Sequence, residues 1–294
     1  MKTKILVTGV GGFIGGHLVP ELQKRKYDVV EFHKSDGNIA QSGIKDIRHI
    51  FHLAAETFVP ESWKRPYDFY QVNVMGTVAV LEFCRLQNCS MTFLSSYVYG
   101  NPLTSPINET HPVNPNSPYN QSKLLAEDVC RFYAGKFNVI TTVLRPFNIY
   151  GPRQKDVYLV PHIIRQALDS RCESIKVMDL APRRDYVFID DLVDAMARTI
   201  GRTAFSIYNV GSGVSYSVED IIKTVLRLLH SEKEYVSEAV RRKDEVMDTV
   251  ADINKIRSEL SWEPKHSIEE GLMKTIDAIR NGTSPFPQAS PSVS

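Results

Sequence analysis

Two residues that can move protons, a tyrosine and a lysine, lie one helical turn apart in the segment SPYNQSKLLAED. Ser117 is a good N-cap and Pro118 a good first helical residue, so a helix should begin here. Tyr119 and Lys123 then project from one face of that helix. A tyrosine with a pKa of about 10 is a weak base at neutral pH, but a neighbouring ammonium and the helix N-terminus both favour its phenolate. The pair therefore predicts general acid–base chemistry on a hydroxyl group.

Two further hydroxyl groups follow the apolar segment MTFL, which has the composition of a buried strand. They belong to Ser95 and Ser96. Open α/β sheets bind their ligands at the edge where the strands end. One of these serines can therefore hydrogen-bond a reacting oxygen and share its proton with Tyr119, while the other merely ends the strand.

The glycine-rich run TGVGGFIGGHL, residues 8 to 18, lies between an apolar strand and an amphipathic helix. Gly9 permits a tight turn, Gly12 lets a phosphate approach the backbone, and Gly15 allows the helix to pack on the strand. The helix N-terminus adds unpaired N–H groups and about half a positive charge, which suit a pyrophosphate. The run therefore predicts a dinucleotide site. A nicotinamide bound there would exchange hydride with the substrate while Tyr119 moves the proton. As a cation, the nicotinamide would also favour the Tyr119 phenolate.

The end of the second predicted strand bears on the choice between NAD and NADP. An acidic residue about 20 residues after the glycines normally holds the ribose 2′-hydroxyl of NAD. Here the strand DVVEF leads into His33, Lys34 and Ser35, with Glu31 inside the strand and Asp36 beyond the tip. A cationic, hydroxyl-bearing tip suits a 2′-phosphate and slightly favours NADP. The alternative is a solvated loop in which a displaced acid serves NAD.

Short β-branched runs alternate with amphipathic segments of helix length along the chain. The predicted strands are KILVT, DVVEF, HIFHL, MTFLS, VITTVL, IKVM and IYNV. The predicted helices are HLVPELQKR, GTVAVLEFCRL, SKLLAEDVCRFYA and VEDIIKTVLRLLH. This alternation is typical of a parallel sheet covered by helices on both faces. It predicts the α/β class with a doubly wound, Rossmann-like sheet.

The composition is that of an ordinary folded protein. Of 294 residues, 43% are hydrophobic and 23% charged, and a net charge of +1 gives no field that would attract nucleic acid or a membrane surface. Four cysteines without disulfide or metal spacing, in a chain with no signal sequence, predict a reduced protein of the cytoplasm. No apolar run approaches the roughly 20 residues that span a bilayer. We expect no nucleic acid, no membrane and no metal as partners.

Further motifs follow in a fixed order: HLAA, NVMGT, SSYVYG, the Tyr119 and Lys123 pair, RPFNIYGPRQ, RRDYVFIDDLVDA, NVGSG and ADINKIRSELSWEP. With the glycine run, they make the chain resemble the extended short-chain dehydrogenase/reductases. These are NAD(P)-dependent nucleotide-sugar epimerases, dehydratases and reductases. The resemblance covers nearly the whole chain, from residue 8 to about residue 279.

The resemblance implies a role for each matching position. Ser96, Tyr119 and Lys123 would be catalytic. The cofactor-binding residues, besides Tyr119 and Lys123, would be Gly9, Gly12, Phe13, Ile14, Gly15, His33, Lys34, Asn38, Ile39, Leu53, Ala54, Ala55, Asn73 and Pro146. The nucleotide sugar would contact Ser96, Asn148, Arg184 and Arg241. Two other arginines, Arg145 and Arg183, could instead form structural pairs with Asp185 or Asp190.

Three departures from the family pattern qualify these roles. The serine motif is one residue short, so counting from the strand selects Ser96 and counting back from Val98 selects Ser95; we take Ser96, since the strand fixes its own end. Tyr97 stands where the 4,6-dehydratases carry an Asp-Glu pair, which argues against a dehydratase. The stretch from 33 to 47 is short, and it leaves the adenosine end of the cofactor site the least defined.

The resemblance implies two domains and a cleft between them. Residues 1–147, rejoined by 190–210, would form the NAD(P)-binding domain. Residues 148–189 and 211–280 would form a smaller C-terminal lobe that binds the nucleotide sugar. The tail, residues 281–294, is rich in Pro and Ser and should be disordered. Family members commonly form homodimers through helices of the first domain, and the helix GTVAVLEFCRL suits that role or that of a buried helix.

Two enzymatic functions fit these residues. A 4-epimerase oxidises C4 of the sugar, lets the 4-keto sugar turn over, and reduces it from the other face, so the cofactor is regenerated. A 4-keto reductase uses NADPH once to reduce a 4-keto-6-deoxy sugar. We place the epimerase first by a narrow margin. A cofactor-binding protein without catalysis is a third hypothesis, but such chains typically lose the tyrosine or the lysine.

Overall fold

The computed structural model describes residues 2–240 and 245–283. Arg241, and residues 284–294 of the predicted tail, lie outside the described residues. The strands are β1 Lys4–Thr8, β2 Asp28–Phe32, β3 His49–His52, β4 Ser90–Leu94, β5 Thr141–Pro146, β6 Asn148–Tyr150, β7 Ser174–Val177, β8 Arg183–Phe188, β9 Ser206–Val210, β10 Ser215–Ser217 and β11 Glu234–Ser237. The helices are α1 Gly15–Lys24, α2 Val59–Lys64, α3 Pro66–Tyr70, α4 Gly76–Gln87, α5 Pro118–Phe137, α6 Leu159–Leu168, α7 Ile189–Ala197, α8 Val218–Leu229, α9 Asn254–Leu260 and α10 Ile268–Arg280.

The centre of the molecule is a six-stranded parallel sheet in the order β2-β1-β3-β4-β5-β9. The predicted α/β class and Rossmann-like sheet are confirmed, and each of the seven predicted strands forms. β9 returns from far along the chain to pair with β5, with Thr142 opposite Ser206. Because all six strands are parallel, the ends of β1, β3, β4 and β5 lie at one edge of the sheet, where such sheets bind ligands.

The sheet ends at β2, one strand earlier than the doubly wound order 3-2-1-4-5-6. Between β2 and β3 the described chain forms only two short 3-10 turns, Lys34–Asp36 and Ile39–Gln41. A parallel strand needs a crossover of a dozen or more residues on each side. The short segment between residues 33 and 48 cannot supply a strand and two crossovers, so β2 becomes the edge of the sheet.

Apolar side chains alternate between the two faces of the sheet because successive residues of a strand point in opposite directions. In β1, Ile5 and Val7 join a hydrophobic cluster that also contains residues of α1, α7 and α8. Leu6 points to the other side and joins a smaller cluster with residues of α4 and α5. The sheet is therefore covered by helices on both faces.

The C-terminal part of the chain forms two small sheets, β10-β8-β6 and β11-β7. Sequence periodicity did not reveal β6, β8, β10 and β11, because three of them have only three or four residues and β8 begins with charged residues. α7 packs against α1, and Arg25, directly after α1, lies 2.7 Å from Asp194 of α7. Within the described residues, the helices are all too short or too polar to cross a bilayer.

Candidate active site

The glycine turn after β1 is built from backbone atoms that leave no room for side chains. Gly9 has φ +72°, and a Cβ there would lie 2.7 Å from the amide nitrogen of Ala54. A Cβ at Gly15 would collide with the carbonyl oxygen of Gly9. These two glycines are therefore required by the protein's own backbone.

Gly12 differs from the other two glycines of this turn. A Cβ at Gly12 would meet only the carbonyl oxygen of Gly9, at 3.3 Å, and otherwise open space. α1 begins beside that space with no side-chain cap and no acidic residue in its first turn. A pyrophosphate therefore finds room, the positive end of a helix and no competing carboxylate at this turn. The residues present fit a dinucleotide.

Thr8, the last residue of β1, positions the opposite wall of this cradle. Its hydroxyl oxygen accepts hydrogen bonds from the amides of Leu53 and Ala54, each at 3.2 Å, and lies 2.9 Å from Nδ1 of His52. Burial lowers the pKa of His52 to about 3, so this imidazole is neutral and structural. The segment after β3 is thus held beside the glycine turn. Sequence reasoning missed Thr8, although its place at a strand end could have indicated it.

The predicted helix start before Tyr119 is confirmed. The Ser117 side chain accepts a hydrogen bond from the amide of Asn120, and Pro118 occupies the first helical position of α5. Tyr119 follows in the first turn, with its ring 6.3 Å from that of Phe69. One turn further on, the amine of Lys123 is buried and lies 4.4 Å from the centre of the Phe93 ring.

The two serines after β4 have different partners. Ser95 donates a hydrogen bond to the buried carboxylate of Glu127. Ser96 instead faces the start of α5, where its hydroxyl lies 3.4 Å from Oδ1 of Asn120 and hydrogen-bonds Tyr119. The geometry therefore favours Ser96 as the serine of the reacting group and gives Ser95 a structural task.

Burial governs the protonation of Tyr119 and Lys123 in this structure. Burial raises the pKa of Tyr119, and the hydrogen bond from Ser96 offsets only part of that rise. Burial also lowers the pKa of Lys123 to about 8. The phenol is therefore neutral in this structure, because desolvation outweighs the hydrogen bond from Ser96. The expectation that Lys123, the helix N-terminus and a bound nicotinamide cation together favour the phenolate stays a prediction.

A buried ion pair lies directly behind these residues. Both oxygens of Glu127, one turn beyond Lys123 on α5, contact the guanidinium of Arg145, with a shortest distance of 2.6 Å. Arg145 also donates to the hydroxyl of Tyr99 at 2.9 Å, and Tyr99 donates to Asn209 of β9 at 2.6 Å. One network thus joins β4, α5, β5 and β9.

The structural pairs suggested for the other arginine positions have different partners. Arg145 pairs with Glu127, as described above, and not with Asp185 or Asp190. Arg183 lies 3.2 Å from Asp220. The Asp185 carboxylate instead accepts hydrogen bonds from the amides of Ser212, Gly213 and Ala251. Those suggested pairs were wrong because β8 places Asp185 toward the loop after β9.

The tip of β2 carries the residues expected to meet the adenosine end of the cofactor. His33 is exposed, with its imidazole 3.6 Å from Glu31, and its amide donates to Asp36 at 2.7 Å. Lys34 is exposed beside them. The Asn38 side chain caps the next turn by accepting from the amide of Ala40 at 3.0 Å.

Two residues expected to contact the cofactor have side chains that make contacts within the protein instead. The Ile39 side chain is buried in the apolar cluster under α4, which leaves only its backbone for a ligand. Asn73 is buried, and its amide group bonds both backbone groups of Glu56 and the hydroxyl of Ser122. Since every one of these amide atoms has a partner, we assign Asn73 a positioning task between the segment after β3 and α5.

Of the residues expected to hold the substrate, Asn148 begins β6 and Arg184 lies in β8. Asn148, which follows Pro146 and Phe147, donates to the carbonyl of Asp185 at 3.3 Å. Arg184 forms an ion pair with Glu245 and donates to the carbonyl of Val246 at 2.5 Å. The guanidinium that was expected to bind the diphosphate is therefore paired with a carboxylate of the protein itself.

Comparison with known proteins identifies the family. A model of the NAD dependent epimerase/dehydratase family matches residues 5–211. The chain belongs to this family. It is 31% identical to the UDP-glucose 4-epimerase of Mycolicibacterium smegmatis, over 95% of this chain and 99% of that protein. It is 29% identical to the GDP-6-deoxy-D-mannose reductase of Pseudomonas aeruginosa, over 92% of this chain and 95% of that protein.

A solved structure gives the same fold for this epimerase/dehydratase chain. RMD from Pseudomonas aeruginosa, complexed with NADPH, superposes with a TM-score of 0.87 over 96% of this chain and all of that chain, at 25% identity. Its relatives and neighbours are NAD- or NADPH-dependent nucleotide-sugar enzymes, and this chain is an enzyme of the same extended family. Across the described ranges, His, Cys, Asp and Glu side chains form no cluster of three that could hold a metal ion.

Replacing Lys123 by methionine should stabilise the epimerase/dehydratase fold at neutral pH while abolishing its activity. The unfolded lysine binds its proton up to about pH 10.5, whereas the folded one releases it near pH 8. The unfolded state thus binds more protons between these values, so wild-type stability rises with pH across this window. The gain from Lys123→Met should be largest below pH 8 and shrink towards pH 10.5 in urea unfolding. Lys136→Met, at an exposed position of the same helix, should show no such trend. If Lys123→Met stabilised the protein equally below pH 8 and at pH 10.5, burial of the charged lysine would not be the cause.

Proposed function

We propose that this protein is an NAD(P)-dependent nucleotide-sugar epimerase that acts at C4 of the sugar through a 4-keto intermediate. The observation that carries the proposal is the meeting of two features at one edge of the sheet. The open cradle at Gly12 follows β1. Ser96 lies just after the end of β4, and Tyr119 and Lys123 lie near the start of α5. A hydride carrier and a proton-transfer group are thereby brought together.

The side chains of this site divide the proton transfer between them. Ser96 hydrogen-bonds the C4 oxygen of the sugar, and Tyr119 takes the proton from that oxygen or returns it. Gly9, Gly12 and Gly15 would hold the dinucleotide, which would supply the hydride chemistry at C4. A charged Lys123 one turn below favours the phenolate, which offsets the burial that raises the pKa of Tyr119.

The lobe made by residues 148–189 and 211–280 supplies the substrate side of the cleft in this proposal. Asn148 and Arg184 would meet the diphosphate of the nucleotide sugar, and Arg241 would add a second guanidinium. Arg184 is paired with Glu245, so the diphosphate would have to replace that carboxylate. Exchange of one anion for another at a guanidinium avoids leaving the charge buried and unpaired.

A second candidate function, an NADPH-dependent 4-keto-6-deoxy-sugar reductase, is favoured by the tip of β2. The exposed ammonium of Lys34 stands where an acid would bind the ribose of NAD, and no carboxylate of the described residues pairs with it. Asp36, the displaced acid, is bonded to the amide of His33. These features favour NADP, and a reductase consumes its cofactor once in each turnover.

An epimerase regenerates its cofactor and a reductase consumes it, so the two functions can be distinguished by experiment. The purified protein would be incubated with UDP-glucose, UDP-N-acetylglucosamine or GDP-mannose, and the products identified by NMR spectroscopy. The proposed epimerase converts one of these sugars over many turnovers with no cofactor, or only a catalytic amount, added. A protein that leaves all of them unchanged, yet oxidises NADPH in proportion to an added 4-keto-6-deoxy sugar, is the reductase.

Lys34→Glu should reveal which dinucleotide the tip of β2 prefers. If Lys34 meets a 2′-phosphate, reversing its charge should weaken NADPH binding about tenfold or more and leave NADH binding nearly unchanged. Fluorescence titration with both dinucleotides measures this. Lys24→Glu makes the same charge change at the far end of α1 and should alter neither affinity. Equal weakening of NADH and NADPH, or no change in either, would contradict the preference.

We infer that the protein pairs with a second copy of itself through the surface of α4 and α5. Leu86, Leu125, Phe132 and Phe137 are exposed there, with Phe132 56% accessible. Two helices side by side can pack on the same two helices of a twofold-related copy, which buries this surface symmetrically. Phe132→Glu should shift the mass measured by light scattering from dimer to monomer. Leu103→Glu, an exposed loop position, should leave the dimer intact.

A further inference from the structure

Tyr97, which directly follows Ser96, lies between the two ends of the proposed site. Its ring centre is 5.3 Å from that of Phe147 and 5.5 Å from that of Tyr99, both in edge-to-face contact. The side chain is only partly buried. Two neighbouring rings thus fix its orientation while part of its surface remains accessible.

The hydroxyl of Tyr97 has a structural partner. It donates to the carbonyl of Gly100 at 2.7 Å and so closes the short turn that follows the serine motif. A phenol has a single proton to donate. Since that proton is used within the protein, the ring is the part of Tyr97 that is left for contact with a ligand.

The charge of Arg184 acts on Tyr97. Burial raises the pKa of Tyr97, and the positive charge of Arg184 opposes that rise. Tyr97 thus has Ser96 as its chain neighbour and the guanidinium of Arg184 within electrostatic reach. In a nucleotide sugar, the hexose is the group that separates a reacting C4 from the diphosphate.

We propose that the ring of Tyr97 is the wall against which the hexose packs, so that this residue recognises the sugar and not the nucleotide. This inference rests on the proposed function, since it takes Ser96 to meet the sugar and Arg184 to meet the diphosphate. A ring packed on the C–H groups of a pyranose contributes by contact area and shape, without any proton transfer.

The test compares ligands with and without the hexose. Calorimetry would give the affinities of UDP, UDP-glucose, GDP and GDP-mannose for the full-length protein saturated with NAD or NADPH. For whichever pair binds, Tyr97→Ala should lower the affinity for the nucleotide sugar by roughly fivefold to tenfold. The affinity for the nucleotide without the sugar should stay unchanged. Tyr97→Phe keeps the ring and should retain the wild-type ratio.

Several outcomes would overturn the inference. Equal weakening of nucleotide and nucleotide sugar in Tyr97→Ala would show a structural role, and an unchanged ratio would show that the ring does not meet the hexose. Thermal unfolding of both variants identifies a folding defect; should Tyr97→Ala fail to fold, Tyr97→Leu provides the ring-free comparison. If the wild-type protein binds none of the four ligands, the proposed function fails, which is distinguishable from failure at Tyr97 alone.

Discussion

Tyr119→Phe should reduce turnover by about 10² to 10⁴, the range of a general acid–base group, while leaving the fold and the binding of cofactor unchanged. The variant loses the hydroxyl that exchanges a proton with the C4 oxygen and retains the ring that packs near Phe69. The measurement is kcat with the sugar that the wild-type protein converts, together with the affinity for NADH or NADPH.

Tyr133→Phe is the matched control for this experiment. Tyr133 lies on the same helix, α5, and its hydroxyl donates to Glu82 at 2.7 Å, away from Ser96. Its loss should leave kcat within a factor of two or so, since surface hydrogen bonds contribute little. If Tyr119→Phe retained wild-type turnover, both the epimerase and the reductase assignments of this tyrosine would fail.

Glu127→Leu should destabilise the protein by about 3–5 kcal/mol, the usual effect of removing one partner of a buried ion pair. Glu127 and Arg145 are almost completely buried, with side chains only 1% and 4% accessible. Without the carboxylate, the guanidinium of Arg145 remains in the interior with Tyr99 as its main partner. Urea unfolding of wild type and variant measures the loss.

The double variant Glu127→Leu with Arg145→Met separates charge from packing. Removing both charges together often restores stability, because neither is left unpaired. We expect the double variant to regain most of the lost free energy but not the activity, since Ser95 loses the carboxylate that anchors the end of β4 beside Ser96. Arg171→Ala, which breaks an exposed ion pair with Asp169, should not move the unfolding midpoint. A double variant no more stable than Glu127→Leu would contradict this account.

Local patterns predicted much of the fold. The helix at Pro118 was predictable because a serine cap acts within three residues of itself. The strands of the central sheet were predictable because buried parallel strands are short runs of β-branched residues. The turn at Gly9 was predictable because only glycine combines a positive φ with so close an approach of another backbone segment.

Residues whose environment depends on distant parts of the chain were not predictable in this way. The choice between Ser95 and Ser96 depends on Glu127, which lies 32 positions beyond Ser95 in the chain. Ile39 was expected to contact adenosine, but the packing of its turn under α4 buries its side chain. The partner of Arg145 was missed because it lies on the neighbouring helix and not in the motif that contains the arginine.

The sequence by itself determined the class of the protein: the glycine run, the cap before Tyr119 and the order of motifs indicate a dinucleotide-dependent sugar enzyme with a parallel sheet. Only the tertiary structure decided which hydroxyl faces Tyr119, that burial keeps this phenol neutral, and that Glu245 occupies Arg184. The physical reason is that caps, turns and periodicity act between near neighbours in the chain. Desolvation and buried ion pairs depend instead on atoms that only folding brings together.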